Sequence, residues 1–560
     1  MVFDPVISES ERQKELSAKL SHFSQGQEER LAKTRADQLG LPYINLVIFP
    51  IDSDVLERIS KAEASASQTV LFYKQGGDVR LGSVDPSSPQ AQAMAKQIEE
   101  RLGYAPHVYV VSERSIQAAI GRYRREAALD NNAQDELRIN QEEADTFATE
   151  LKNLEELGLR ITSMPPTEIL SAIVISAVRL RASDIHVEPK EKNARLRFRI
   201  DGVLQDVATF DQEGWSLLLS RVKVMAKLKL NVKDTPQDGS FVLRIGDETY
   251  DMRLSTLPGG NGENIVIRLL NRKAEAAEIK DLGMKQRDFE VIMQELKRVN
   301  GMILITGPTG SGKTTTLASF LREVNNPELK IITLEDPIEY RIPGIEQTQV
   351  DADAGYTFAA GLRSILRQDP DMIMVGEMRD VETAETAVHA ALTGHLVFST
   401  LHTNDAAGAV PRLIDMGIRP YVLAPALNLV IAQRLVRVVC MSCAQEYDPD
   451  AETRRRIADA MKGVRGDIFN PVVLEDPSLR FMRAVGCSAC GNTGFRGRLG
   501  VFEIFSVQGG MKDKVLSGAS SAEIQAQALS EGMTTISQDA YLKVIDKKTT
   551  LEEVERVSQE

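Results

Sequence analysis

The run GMILITGPTGSGKTTTLASF, residues 301–320, leaves a chain few folds to choose from. Its apolar start, MILI, reads as a buried strand, and TTTLASFLREV after the glycine-rich turn reads as a helix. A buried strand turning at once into a helix is a βα unit, and such units stack into a parallel sheet with both faces covered. The pattern continues downstream, with short apolar strands at 331–334, 372–375 and 396–400 separated by helical stretches. The predicted fold class is α/β, in several domains.

The turn itself predicts phosphate chemistry. Gly307, Gly312, Lys313 and Thr314 fit G-x-x-x-x-G-K-[ST], and the whole loop comprises Gly307, Pro308, Thr309, Gly310, Ser311, Gly312, Lys313, Thr314 and Thr315. The glycines let backbone N–H groups turn inward around a β-phosphate. Lys313 is placed to neutralise β- and γ-oxygens, and the Thr314 hydroxyl to ligate magnesium. Such a loop alone only binds nucleotide; turnover needs acids. Two are offered just past short strands: Glu335, next to Asp336, in IITLEDPIEY, and Glu377 in DMIMVGEMRD. A third strand, LVFST, leads to His402, with His395 just before it. Parallel strands present their C-terminal ends at one edge, so Lys313, Glu335, Glu377 and His402 are expected to converge there. One acid after one strand is as readily a helix cap, and a lone histidine a hydrogen-bonding link. Two acids after separate strands favour magnesium ligation and orientation of an attacking water.

At 560 residues the chain is expected to hold three or four domains. Residues 1–125 read as an N-terminal α/β domain and 126–160 as a charged linker. Residues 161–273 read as a second α/β domain, with a helix in TEILSAIVISAVRLRA and strands in RLRFRIDGVL, GSFVLRIG, ETYDMRLSTL and NIVIRLL; residues 274–560 hold the motor. A formal charge of −13 argues against a nucleic-acid grip. The N-terminus has no basic segment followed by an apolar one, and the apolar run VLAPALNLVIA stops at Gln433 and Arg434. The expectation is a soluble, cytoplasmic protein.

All four cysteines lie in two C-x-x-C pairs, Cys440 with Cys443 and Cys487 with Cys490. Four thiolates close a tetrahedral zinc site, and a closed site is structural because no position is left for substrate. The pairs are 43 residues apart, so the intervening segment is expected to loop out within a small subdomain at about 438–500. A redox pair is the lesser alternative, since neither C-x-x-C sits in a thioredoxin-like context.

The motifs GPTGSGKTTT, TLEDPIEY, GYTFAAGLRSILRQDPDMIMVGEMRD and ALTGHLVFSTLHTND occur in the order found in the secretion ATPases that drive type IV pilus assembly and type II secretion, and the chain resembles that family over most of its length. The segments ASDIHVEP, IDGVL, PQDGSF and MRLSTLPGGNGENIVIRLL resemble the family's second N-terminal domain. The resemblance implies a RecA-like motor core preceded by a PAS-like domain, with closure about a linker near NRKAEAAEIKD as the power stroke. It also implies ATP as substrate, a homo-hexamer, and an inner-membrane platform protein, with pilins handled indirectly, as partner at the cytoplasmic face. Arg253 and Arg268 match positions of arginines that reach the ATP site, and Arg363 and Arg367 are further candidates. Retraction ATPases of similar sequence usually lack the cysteine pairs and the long N-terminal region, so an assembly or export ATPase is implied, with pilus assembly favoured over type II secretion. A nucleic-acid translocase is the alternative of a different class.

Overall fold

The apolar runs of the C-terminal half are unbroken because their sheet is covered on both faces. The computed structural model describes residues 28–126, 136–141, 144, 158, 166–272 and 277–559, apart from positions 48, 50, 52, 57, 76, 77 and 353. Contacts divide the described residues into two bodies, one within Met1–Gln134 and one within Asp135–Glu560.

In the first body a helix over 28–39 precedes a three-stranded sheet of β1 (Thr69–Gln75), β2 (Asp78–Ser83) and β3 (His107–Val110). β2 is antiparallel to β1 and parallel to β3. Helix Pro89–Leu102 covers it through Met94 and Ile98, which join Phe72, Leu81 and Ile116 in the core. The rest of the polar stretch at the start of the chain lies outside the described residues.

The second body opens with a seven-stranded sheet of β4 (Glu136–Ile139), β5 (Ala182–Pro189), β6 (Asn193–Ile200), β7 (Val203–Asp211), β8 (Gln237–Ile245), β9 (Glu248–Gly259) and β10 (Gly262–Asn271), in the order β4-β8-β9-β10-β5-β6-β7. Helices Pro166–Arg179 and Gln212–Met225 bury Ile173, Trp215 and Val222 against it. Two elements differ from the sequence expectation: β5, and the helix Gln212–Met225 that follows β7 directly. A third, β4, falls inside the segment read as a linker. It pairs in parallel with β8 and buries Leu137 and Ile139, while nearly all the remaining linker residues lie outside the described ones. Lys223 is tolerated inside because its ammonium is 2.5 Å from Glu263 and donates to the Val232 carbonyl at 2.8 Å.

The C-terminal region follows with β11 (Gly301–Thr306), β12 (Ile331–Glu335), β13 (Glu346–Gln349), β14 (Met372–Val375), β15 (Leu396–Leu401), β16 (Leu427–Val439), β17 (Gln445–Tyr447), β18 (Phe481–Arg483) and β19 (Phe495–Ser506). Its main sheet runs β13-β12-β14-β15-β11-β16-β19, parallel throughout except that β19 is antiparallel to β16. Alternate residues serve two cores. Met302, Leu304, Ile332, Leu334, Ile373 and Val375 face one. Ile303, Ile305, Ile331, Met372, Met374 and Phe398 face the other. Among the described residues no helix is long and apolar enough to cross a membrane; the run VLAPALNLVIA divides between helix Pro420–Ala426 and the start of β16.

The segment between the cysteine pairs forms the β17–β18 hairpin and helix Ala451–Ala460, whose Ile457 packs with Phe481, Val436 and the C-terminal helices through Ala540, Val544 and Val554. Glu553, 1% exposed, pins this region to β16: it accepts from Arg437 N at 2.8 Å, Nε at 2.9 Å and Nη2 at 2.7 Å, and from Arg556 Nη2 at 2.8 Å. Burial acts to raise its carboxyl, but the hydrogen bonds from Arg556 and Arg437 outweigh burial and hold it below the usual range. Its stabilising effect is therefore full above the range in which an unfolded glutamate titrates and is lost as pH falls through the lowered native value. Glu553→Gln is expected to cost about 3 kcal/mol at neutral pH. The gap in melting temperature between wild type and variant should close on acidification below about pH 4.

Candidate active site and a four-cysteine centre

The phosphate loop leaves β11 and enters helix Lys313–Val324. Gly307 has φ 146°, and a Cβ there would lie 2.5 Å from the Gln433 carbonyl oxygen. Gly312, φ 91°, caps the helix without a side-chain hydrogen bond, so the first-turn N–H groups have no side-chain acceptor at the cap. The Ser311 hydroxyl is buried without a hydrogen-bond partner. Lys313 Nζ donates to the carbonyls of Gly307 at 2.8 Å and Pro308 at 3.0 Å. Burial pushes its amine down to about 8, against the pull of Glu377 and with the push of Arg434. A glycine cradle, an uncapped helix start, an orphaned hydroxyl and a folded-back ammonium fit a polyphosphate.

Both acids arrive at the same edge. Glu335 ends β12, and Glu377 follows β14 by two residues; the strands are neighbours, with Leu334 opposite Val375. Their surroundings differ. Glu335, 5% exposed, accepts at Oε1 from Thr333 Oγ1 at 2.6 Å and Gln347 Nε2 at 3.0 Å, and burial raises its carboxyl. Glu377 meets cationic or ionisable donors at Oε2, Arg379 Nε at 2.7 Å and His402 Nε2 at 3.3 Å. Lys313 feels the carboxylates of Glu377 and Glu339. Lys313, Glu377 and His402 thus share one site, with Glu335 beside it at the adjoining strand end.

Other candidates lie elsewhere. His395 is bonded through Nδ1 to the Ala390 carbonyl at 3.0 Å. Arg363 pairs with Glu382, and Arg367 donates to the Arg363 carbonyl at 2.9 Å. Arg253 and Arg268 are direct cross-strand partners on β9 and β10, and Arg268 Nε is 3.0 Å from Asp184. Among the described residues no hydrogen bond or ion pair joins either to the phosphate loop.

Sequence reasoning missed the floor and sides of the site. Gln433 and Arg434, noted only for ending an apolar run, are buried in β16 beneath the loop. Gln433 accepts from Thr316 Oγ1 at 2.8 Å, and Arg434 Nη2 donates to the Asn404 carbonyl at 2.8 Å. Two adjacent polar residues directly after the apolar run Leu429–Ala432 were the available signal. Thr306, just before the loop, bonds Thr403 N at 2.8 Å and so ties the loop to the His402 segment. Gln347 had no spacing signal, because it meets Glu335 through the fold, whereas Arg379 stands two residues past Glu377 and was open to a local reading.

At the far end of β16 the four sulfurs of Cys440, Cys443, Cys487 and Cys490 lie within 4.8 Å of one another. Three separations are 3.9, 3.9 and 3.8 Å, too long for disulfides. They match the edge of about 3.8 Å that follows from a tetrahedron of zinc–sulfur bonds of about 2.3 Å. Burial pushes the Cys443 thiol up to about 12. At Cys490 burial is outweighed by N–H groups of Cys487 and Gly494, which bring the thiol down to about 7. Four thiolates at such distances require a cation, and the donor set fits a closed zinc site. Purified protein is expected to carry about one zinc per chain. Cys440→Ser should lose most of it and unfold at a lower temperature, checked by elemental analysis and thermal melting; full zinc in that variant would remove the four-cysteine site.

The sequence profile of the type II/IV secretion system protein family matches residues 162–556, and that of the MshEN domain matches residues 39–129. The chain is 38% identical over 537 residues to the type IV pilus assembly ATPase PilB of Myxococcus xanthus, covering 94% of this chain and 91% of that one. It is 39% identical over 516 residues to the type II secretion system ATPase E of Vibrio cholerae, covering 92% and 99%. Against the type II secretion system protein E of Pseudomonas aeruginosa it is 46% identical over 415 residues, 74% of this chain and 80% of that one. The crystal structure of the Legionella pneumophila ATPase DotB shares the fold, with a TM-score of 0.51 and 21% identity over 71% of this chain and 97% of the other. With a complete phosphate loop, acids at two adjoining strand ends and these relatives, the chain belongs to the type II/IV secretion system protein family and is an ATP-hydrolysing enzyme of it.

Proposed function

We propose that this protein is the hexameric ATPase that powers type IV pilus assembly from the cytoplasmic face of the inner membrane, moving a platform protein there that adds pilins. The observation that supports this reading is the match to the Myxococcus xanthus pilus assembly ATPase over 94% of the chain; the Vibrio cholerae type II secretion ATPase matches over 92%, so the host phenotype below decides between the two.

In this reading the loop Gly307–Thr315 cradles the phosphates of ATP and Lys313 turns from its carbonyl partners to the β- and γ-oxygens. Thr314 would hold a magnesium ion, which when bound would supply charge neutralisation at those oxygens. The two acids divide the work according to their neighbours. Glu335 is held by neutral donors and has its carboxyl raised by burial, which suits it to take a proton from the attacking water. Glu377 is committed to a positive neighbour, Arg379, and serves the metal side, with His402 fixing its orientation. Arg253 and Arg268, side by side on β9 and β10, complete the site when the PAS-like domain closes on a motor domain, since a guanidinium binds γ-phosphate oxygens bidentately. Cys440, Cys443, Cys487 and Cys490 would hold zinc, which would brace the β16–β19 end and stand apart from turnover.

ATP phosphates favour the charged form of Lys313, whose free amine titrates at about 8. Nucleotide affinity is therefore expected to fall as pH rises through about 8, by up to about tenfold per pH unit. A fluorescent nucleotide titrated at several pH values measures it; Lys313→Ala should bind weakly at every pH. In the host, deleting the gene should remove surface pili and leave exoprotein secretion intact. Loss of secretion with pili retained would assign type II secretion instead, and ATPase activity stimulated by DNA with a steep salt dependence would overturn the protein-motor reading altogether.

A further inference from the structure

Glu335 is not oriented by its own strand alone. Of its two donors, Thr333 lies two residues back on β12 and comes with the strand. Gln347 comes from β13, the outermost strand, where it stands in register with Thr333. That strand is four residues of sequence EQTQ, none of them buried, so core packing does not account for it.

The Gln347 amide has one possible orientation. Ile342 N donates to its Oε1 at 2.9 Å, which turns Nε2 the other way, and Nε2 serves Glu335 Oε1 at 3.0 Å and the Tyr340 carbonyl at 2.8 Å. Both donors and one acceptor position are in use. Tyr340 extends the path, its hydroxyl 3.0 Å from Thr315 Oγ1 in the first turn of the phosphate-loop helix. Gln349, two residues along β13, accepts from Ile338 N of the same loop at 3.4 Å. A polar path thus runs from Glu335 through Gln347 and Tyr340 to the helix that begins the phosphate site.

We propose that Gln347 is a positioning residue for ATP hydrolysis, aiming the Glu335 carboxylate by fixing it to the 336–342 loop and, through Tyr340, to the phosphate-loop helix. The proposal rests on Glu335 being the acid that activates water. With Oε1 occupied by Thr333 and Gln347, Oε2 is the oxygen left for the water. An amide N–H bonds a carboxylate more strongly than the carbonyl of a carboxylic acid, so Gln347 also works against the burial that favours the protonated form.

The test uses the full-length protein. Gln347→Met keeps the volume and removes every hydrogen bond; Gln347→Glu replaces the donor facing Glu335 by an acceptor. For Gln347→Met, kcat is expected to fall roughly ten- to a hundredfold, with KM for ATP within about twofold of wild type. The acid limb of the kcat profile should move to higher pH, because Glu335 has lost a donor that favours its ionised form. Gln347→Glu should move it further. A wild-type kcat, or a reduced kcat with an unmoved acid limb, overturns the role of Gln347. If Gln347→Met does not fold, by melting and by binding of a fluorescent nucleotide, the same two readouts on Gln347→Glu decide it. Glu335→Gln separates the two proposals. Normal turnover there removes Glu335 from catalysis and this inference with it, whereas an inactive Glu335→Gln beside a wild-type Gln347→Met removes only Gln347.

Discussion

The chemistry of the motor is placed by the dryness of its sheet. β11, β12, β14 and β15 are buried along their whole length, with one core on each face. An unpaired charge inside such a strand costs several kcal/mol, so ionisable groups are driven to the strand ends. Because the strands are parallel, those ends share one edge, and Glu335, Glu377 and His402 each lie within two residues of theirs. β16 is the exception that completes the site. It runs on past the edge, which lets Gln433 and Arg434 sit inside the strand yet level with the phosphate loop.

Convergence at that edge was legible because it depends only on strand direction, which the βα pattern sets. The cysteine centre was half legible. Spacing within each C-x-x-C is local, but the meeting of pairs 43 residues apart depends on the antiparallel pairing of β16 with β19, from Leu429 opposite Ser506 to Val439 opposite Phe495. What the sequence did not disclose was any partnership made across the fold. Gln347 looks like an ordinary polar surface residue, and only tertiary placement brings it to Glu335; Arg379 stands two residues past Glu377, and its role was within local reach. β5 was not read as a strand, although its burial alternates in part, because a single strand of eight residues beside a helix carries a weak period. β4 was hidden by the charges around it, with only Leu137 and Ile139 to mark its buried side.

The two acids also show how identical side chains acquire different character from their neighbours. Burial raises the Glu335 carboxyl against the pull of its neutral donors, whereas Glu377 is ion-paired with the adjacent Arg379 guanidinium. Part of the difference is local, since Thr333 lies two residues before Glu335 on β12 and Arg379 two residues after Glu377. The rest comes from across the sheet, through Gln347 of β13 and His402 after β15.

The hairpin of β16 and β19 acts as a beam. From Gln433, under the phosphate loop, to Val439, beside the cysteines, is six residues, about 20 Å at about 3.3 Å per residue, in regular register as far as Arg437 and with one irregularity between Arg437 and Val439. At its far end Gly497 N donates to Asp201 Oδ2 at 3.0 Å, in the turn joining β6 to β7 of the preceding domain. Bending such a beam breaks paired hydrogen bonds, whereas bending a loop only rotates single bonds. The four sulfurs brace the end where a hairpin would otherwise fray. The same paired strands thus touch the phosphate loop at one end and the preceding domain at the other, so the two are joined by hydrogen-bonded sheet and not by a loop.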